Sequence, residues 1–370
     1  MEKNMFDYIK ETPETLLNII DNSEKYTKEL VTFYKENNCD GIYFVASGSS
    51  YNGVMCALSF MKHILKKDIR LISPFTLIHH EKDYVGNKML IGVSQSGCST
   101  NTLEALKVLK QDGHKTACLV GRDDCDAKDI ADLTINWQVG EEKVGFVTKG
   151  VTSLACFLMV FAVELAFHTD LIDENRYHTM KERLKEAVSI HPEMVENTIK
   201  VFNNHKEDFT KRNRVFMISS GPNLGTATEG ALKIAETSCI SASAYEAEEF
   251  LHGPLYPLTP DDLIIVIDNN DDDSSERMID IANALRDITE KVYVISNSTK
   301  FSDEYSFRTN RQTCLHRSPL YKLACVQTLS YLMTEATNKY EPHENVKKFK
   351  KANKVASKSR DNLYLNLQKV

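Results

Sequence analysis

The side chains best placed to do chemistry lie in two serine-rich loops and one charged helix. Ser47-Gly48-Ser49-Ser50 and Ser94-Gln95-Ser96-Gly97-Cys98-Ser99-Thr100 each follow a short apolar run and open a helical stretch. A helix N-terminus offers unpaired N–H groups and the positive end of its dipole, and hydroxyls add further donors. Glycine lets the backbone approach closely. A phosphate dianion needs such a set. Serine and threonine also cap helices where no ligand binds, and either loop alone reads equally well that way. Two of them in one sheet turn the reading toward a phosphate site. Neither is a nucleotide loop, since there is no G-x-x-x-x-G-K-[ST] and no G-x-G-x-x-G after a strand. ATP and NAD are therefore not implied.

The third segment is GTATEGALKIAETSCISASAYEAEEFLHGP, residues 225–254. Helical spacing sets Glu229, Lys233 and Glu236 on one face, at i, i+4 and i+7. A solvated, salt-bridged face has the same spacing. The company of Ala231, Leu232, Ile234, Ala235 and Cys239 argues against full exposure. His252, just before Gly253-Pro254, reads on its own as a loop residue. There is no H-x-x-x-H, H-E-x-x-H or paired-cysteine pattern, and the adjacent His79-His80 reads as surface, so no metal is implied.

These loops need strands before them and helices after them, and the chain supplies both twice. In the first half the apolar runs Gly41–Ser47, Ile69–Ser73, Met89–Val93 and Thr116–Val120 read as strands, with Leu133–Trp137 as an edge. Helices are expected from about Asn52 to Leu65, Asn101 to Gln111 and Val151 to Phe167. In the second half Val215–Ser219, Leu263–Asp268 and Val292–Ser296 read as strands. Its helices run from about Gly225 to Cys239, Ser274 to Ile288 and Pro319 to Lys339. This alternation predicts an α/β fold with parallel sheets covered on both faces. The expected organisation is N-terminal helices over 1–40, a first domain over 41–172, a helical connection over 173–211, a second domain over 212–340 and a tail over 341–370.

Composition narrows the partners. The chain has 370 residues, of which 42% are apolar and 26% charged, which suits two globular domains. Its formal charge of −7 argues against non-specific nucleic-acid binding. Nine scattered cysteines read as reduced thiols of a cytoplasmic protein. The N-terminus lacks the apolar core of a secretion signal. The stretch Val151–Phe167 approaches a membrane span in hydrophobicity, but it carries Glu164 and is short. A buried helix is the better reading, and no membrane partner is expected.

Three segments together carry a resemblance: Ser94-Gln95-Ser96-Gly97, the helix from Glu229 through Lys233 and Glu236 to Ser238, and Glu249-Phe250-Leu251-His252-Gly253-Pro254. They resemble the hallmark segments of double sugar-isomerase (SIS) domain proteins, over about residues 40 to 340. The likeness extends to the isomerase half of glutamine–fructose-6-phosphate aminotransferase and to deglycases of fructosamine-type 6-phosphates. It implies two SIS domains, each a flavodoxin-like parallel sheet flanked by helices.

The resemblance also implies roles. Ser94, Gln95, Ser96 and Ser99 would hold a sugar phosphate, with Ser49 and Ser50 adding contacts. Glu236 would be the base of enolisation, Lys233 its neighbour one turn earlier, and His252 the ring-opening histidine, reaching the site from a neighbouring subunit of a homodimer or larger assembly. Gly145–Lys149 resembles a further lining segment. The chemistry agrees: enediol and enolamine formation need a carboxylate that moves a proton, and a glutamate suits this when its surroundings bring its pKa toward neutrality. Ring opening needs an acid/base group such as histidine. No cofactor is needed.

Two departures shape the expected activity. With Glu at position 2 and the first strand near residue 41, the glutamine-using route of the aminotransferase is not expected. Where that family's C-terminal loop supplies a Schiff-base lysine, this sequence has Leu365, with Lys358 and Lys369 nearby. A deglycase or isomerase acting on a 6-phosphorylated, amino-substituted sugar is therefore expected, with a plain aldose–ketose phosphosugar isomerase or a sugar-phosphate-binding regulator as alternatives. The pair Glu248-Glu249 could recognise a substrate amine or form an ordinary solvated pair.

Overall fold

The computed structural model describes residues 3–268, 274–298, 300–301, 304–338 and 343–351. Two compact units divide the chain, one built around Glu14–Glu182 and the other from Asn4–Pro13 with Arg183–Glu341.

The first unit holds a five-stranded sheet in the order β2-β1-β3-β4-β5, formed by Asp68–Ile72, Gly41–Val45, Lys88–Ser94, Thr116–Val120 and Leu133–Asn136. Every pairing is parallel. Parallel sheets are covered on both faces, and β1 and β4 are buried along their whole length. Chain order reverses direction between β1 and β3, and the crevice at such a switch point is where open α/β sheets take ligands. Both serine loops leave the sheet there.

The apolar helix runs Lys149–His168 and is buried from Lys149 to Ala166. By length and composition it could cross a membrane, yet 94% of its apolar window is buried inside the protein. Helices Ser23–Glu36 and Gly48–Leu65 pack against it. Its one acidic group, Glu164, is buried but bonded: Ser23 and Tyr177 donate to it, and Lys181 Nζ lies 3.7 Å away. A buried carboxylate is tolerable only with such partners.

The second unit repeats the plan. Its sheet runs β10-β9-β8-β6-β7, from Ser306–Phe307, Val292–Ile295, Leu263–Ile267, Arg214–Ser219 and Ser241–Glu246, again all parallel. The α/β architecture with two parallel sheets is as expected. Two strands were not. Ser241–Glu246 is an edge strand of small and polar residues (SASAYE), only part-buried, so it lacks the apolar run that marks its neighbours. Ser306–Phe307 has only two residues and no periodicity to read. Helix Leu224–Ser238 packs on helix Pro319–Thr337, which packs on helix His191–Asn204.

Hydroxyls join the first two of these helices. Thr237 meets Ser330 at 2.8 Å and Thr334 at 2.7 Å, and Ser238 meets Thr334 at 2.9 Å. This buried ladder fixes the rotation of the helix that carries Glu229, Lys233 and Glu236.

His191 begins its helix fully buried, with neither ring nitrogen hydrogen-bonded. Burial pushes its pKa down to about 3. An unfolded chain takes up that proton near pH ~6.5 while the folded one refuses it, so stability falls as pH drops from 6.5 toward 3, by at most about 1.4 kcal/mol per pH unit. His191→Leu should flatten this slope in denaturant melts at pH 7, 5.5 and 4.5. An unchanged slope would assign the acid lability to other groups.

Candidate functional site

In the first unit the serines converge. Ser94 ends β3, buried, and its Oγ donates to Ser99 Oγ at 2.8 Å and accepts from the Ser99 N–H at 3.3 Å. Ser96 Oγ lies 3.4 Å from Ser94 Oγ and accepts from the Cys98 N–H at 3.2 Å. Gly97 makes the turn possible: its φ is +65°, and a Cβ there would sit 2.4 Å from Cys125 Cβ. Ser99 is the N-cap residue of helix Thr100–Gln111. Ser49 and Ser50, both half-buried, fall in the first turn of helix Gly48–Leu65, at the end of β1. Asn101 Nδ2 donates to Ser47 Oγ at 2.8 Å and so ties the two loops together. Hydroxyls and two helix N-termini thus gather at one edge of the sheet, by its switch point.

Gln95 is held by a residue outside the loop. Its Nε2 donates to Glu142 Oε2 at 2.7 Å, and Gly150 leaves the room its amide fills. Lys149, in the Gly145–Lys149 segment, is buried.

Sequence reasoning passed over three residues here. Asn101 and Arg122 brace the loop from outside; Arg122 Nε donates to the Ser96 carbonyl at 2.8 Å and brings a cation beside it. Arg122 stands two residues past the end of β4, so the rule placing ligands at carboxyl ends could have found it. Glu142 carries no such signal, lying 47 residues from its partner.

In the second unit two of the three charged residues on the helix face are buried and the third is exposed. Lys233 and Glu229 are fully buried, with Lys233 Nζ 3.6 Å from Glu229 and 2.5 Å from Glu236 Oε2. Glu236 itself is 39% exposed, at the rim, so the burial expected to tune it is only partial. His252 is exposed, at the C-terminal end of the short helix Ala247–Leu251. Glu248 is engaged by Arg277 at 2.6 Å, which holds its carboxyl below the usual range, with His252 contributing. The Glu248-Glu249 pair is exposed, the ordinary solvated reading. His79 and His80 are exposed as expected. Lys358, Leu365 and Lys369 lie outside the described residues.

The second unit's own switch point, between β6 and β8, has a different character. Asp268 follows β8, its carboxylate accepting from Ser296 at 2.6 Å and Ser275 at 3.2 Å, while the buried Lys322 ammonium donates to its backbone carbonyl. A carboxylate in that place repels a phosphate.

Residues 208–303 match the family described as SIS domain. The second unit carries a SIS domain. Comparison of structures extends the likeness to both units. The C-terminal domain of glucosamine-fructose-6-phosphate aminotransferase from Francisella tularensis superposes with a TM-score of 0.80 at 21% identity, covering 91% of this chain and 97% of that one. The tagatose-6-phosphate ketose/aldose isomerase of Escherichia coli gives 0.69 at 16% identity, covering 90% and 93%. At these identities the likeness establishes the fold: two parallel sheets, each flanked by helices. In sequence, the glutamine–fructose-6-phosphate aminotransferase of Thermococcus kodakarensis is 32% identical over 223 residues, 59% of this chain and 36% of its own length. That of Xylella fastidiosa (strain Temecula1) is 28% identical over 306 residues, 79% of this chain and 48% of its own. The chain spans about a third to a half of the length of these curated relatives.

The serine loop of the first unit can be tested through its turn. Gly97→Ala places a side chain at positive φ and against Cys125, so it should cost about 1–3 kcal/mol in a thermal melt. It should also weaken inorganic phosphate binding at least tenfold by calorimetry. Unchanged phosphate affinity would separate the loop from anion binding.

Proposed function

We propose that this protein is a cytoplasmic phosphosugar enzyme that uses Glu236 to move a proton along a 6-phosphorylated, amino-substituted sugar. Ser49, Ser50, Ser94, Gln95, Ser96 and Ser99 hold the phosphate. His252 assists ring opening. On a fructosamine-type 6-phosphate, Glu236 takes a proton from C1 to give an enolamine, and a proton returns to C2. The resulting C1=N imine is hydrolysed by water to an aldose phosphate and free amine. Lys233 fixes the carboxylate. The same proton transfer on a sugar without the amine would be plain aldose–ketose isomerisation.

One observation carries the reading: of the two carboxylates on Lys233, one is sealed in the protein and the other, Glu236, ends at a reachable surface. A proton carrier must be both fixed and accessible. The cluster of serine hydroxyls at the first switch point supports the phosphate assignment. The names of the relatives, aminotransferases and isomerases of 6-phosphosugars, point to the same substrate class. The segment Glu248-Glu249-Phe250-Leu251-His252-Gly253-Pro254 resembles the deglycase pattern, which favours the amine-bearing substrate.

Glu236→Gln should lower turnover by roughly 10²–10⁴-fold while leaving phosphosugar affinity near that of the wild type. The assay is release of amine, or aldose–ketose conversion, from a panel of 6-phosphorylated fructosamines, glucosamines and plain hexoses. Full activity in this variant would remove Glu236 from the mechanism, and conversion of plain hexoses alone would select the isomerase.

We further infer a homodimer in which His252 serves the partner's site, a reading supported by the resemblance and by the exposure of His252. Mixing Glu236→Gln with His252→Ala homodimers under conditions of subunit exchange should then recover part of the activity. Proven exchange with no recovery would place both residues in one subunit's site.

A further inference from the structure

Glu142 lies outside every segment that the resemblance picks out, yet its carboxylate is the most heavily bonded acceptor near the serine loop. Oε1 accepts from the backbone N–H of Thr148 at 2.9 Å and of Lys149 at 2.7 Å. Oε2 accepts from the N–H of Gly150 at 3.1 Å and from Gln95 Nε2 at 2.7 Å. Three of these donors are backbone N–H groups at the start of helix Lys149–His168, where a negative charge is favoured. The fourth belongs to the phosphate loop.

That fourth contact decides which way the Gln95 amide faces. A carboxylate only accepts, so it selects the NH₂ end. The other end, Oε1, is buried without a hydrogen-bond partner, against Gly150, where an added Cβ would lie 1.9 Å from it. Turning the amide over would set two acceptors, Gln95 Oε1 and Glu142 Oε2, against each other. A phosphate is also acceptor-only and needs the same NH₂, which has two protons and only one engaged by Glu142. We propose that Glu142 is a positioning residue: it locks Gln95 with its amide nitrogen as the donor, so that the second proton serves the substrate phosphate. This inference rests on the phosphate role of the serine loop proposed above.

Glu142→Gln is nearly isosteric and removes the acceptor that Oε2 offers to the Gly150 N–H and to Gln95. Its Oε1 can still accept from Thr148 and Lys149. Its NH₂, in place of Oε2, meets the Gln95 NH₂ donor to donor, and Gln95 relieves this by turning over. The loop then offers phosphate a carbonyl. The affinity for inorganic phosphate and for glucose 6-phosphate, read by calorimetry, should fall roughly ten- to a hundredfold, as for loss of a charge-assisted hydrogen bond. A helix cap alone would weaken binding equally whatever stands at position 95. The decisive measurement is therefore the cycle with Gln95→Met: in that background Glu142→Gln should have almost no further effect on phosphate affinity.

Wild-type protein that binds neither probe would sink the phosphate reading itself. Wild-type protein that binds, with Glu142→Gln binding equally well or its loss undiminished beside Gln95→Met, would overturn the role of Glu142 alone. Should Glu142→Gln or the double variant be too unstable, or bind too weakly, to titrate, Gln95→Glu keeps the helix cap and puts an acceptor beside Glu142. It should lose phosphate affinity at least tenfold, and wild-type affinity there would equally overturn the proposal.

Discussion

Lys233 places an ammonium group where the protein leaves it no water, and the second unit is organised around making that tolerable. A lone buried charge costs several kcal/mol even after relaxation. Two carboxylates on the same helix face, Glu229 and Glu236, meet it one turn to either side. The hydroxyl ladder of Thr237, Ser238, Ser330 and Thr334 then holds the helix at one rotation. A small turn of the helix would drive Glu236 into the core or swing Lys233 into solvent. The reach of the carboxylate is therefore set by packing one turn further along the same helix.

The first unit solves the converse problem of collecting donors for an anion. Parallel strands all deliver their helices' N-termini to the same edge, and the reversal between β1 and β3 opens a gap there. Ser94, Ser96 and Ser99 stand at that edge with hydroxyls that bond to one another. The second unit repeats the topology but fills the same position with Asp268 and the Lys322 ammonium. The same topology therefore carries serine hydroxyls at one switch point and a carboxylate beside an ammonium at the other.

Neutralised charges recur wherever the chain goes inward. Glu164 in the apolar helix has Ser23, Tyr177 and Lys181; Glu142 has three backbone N–H groups and Gln95. His191 is the exception, neutral because it has no partner at all among the described residues. In each case the number of hydrogen bonds a group can reach decides whether its charge survives burial.

The alternating apolar runs and glycine-serine turns sufficed to read the α/β class, eight of the ten strands among the described residues and the candidate phosphate loops, because continuous burial and tight turns are properties of neighbouring residues. Helical spacing likewise grouped Glu229, Lys233 and Glu236, yet could not say whether water bathes them. Burial depends on which helix packs behind, and Pro319–Thr337 lies some ninety residues on. The edge strand Ser241–Glu246 escaped notice because a half-covered edge imposes no apolar run. Glu142 beside Gln95 was decided by the tertiary structure alone. A hydrogen bond across 47 residues leaves no periodic trace in the chain, and only the folded backbone brings its donor and acceptor within 3 Å.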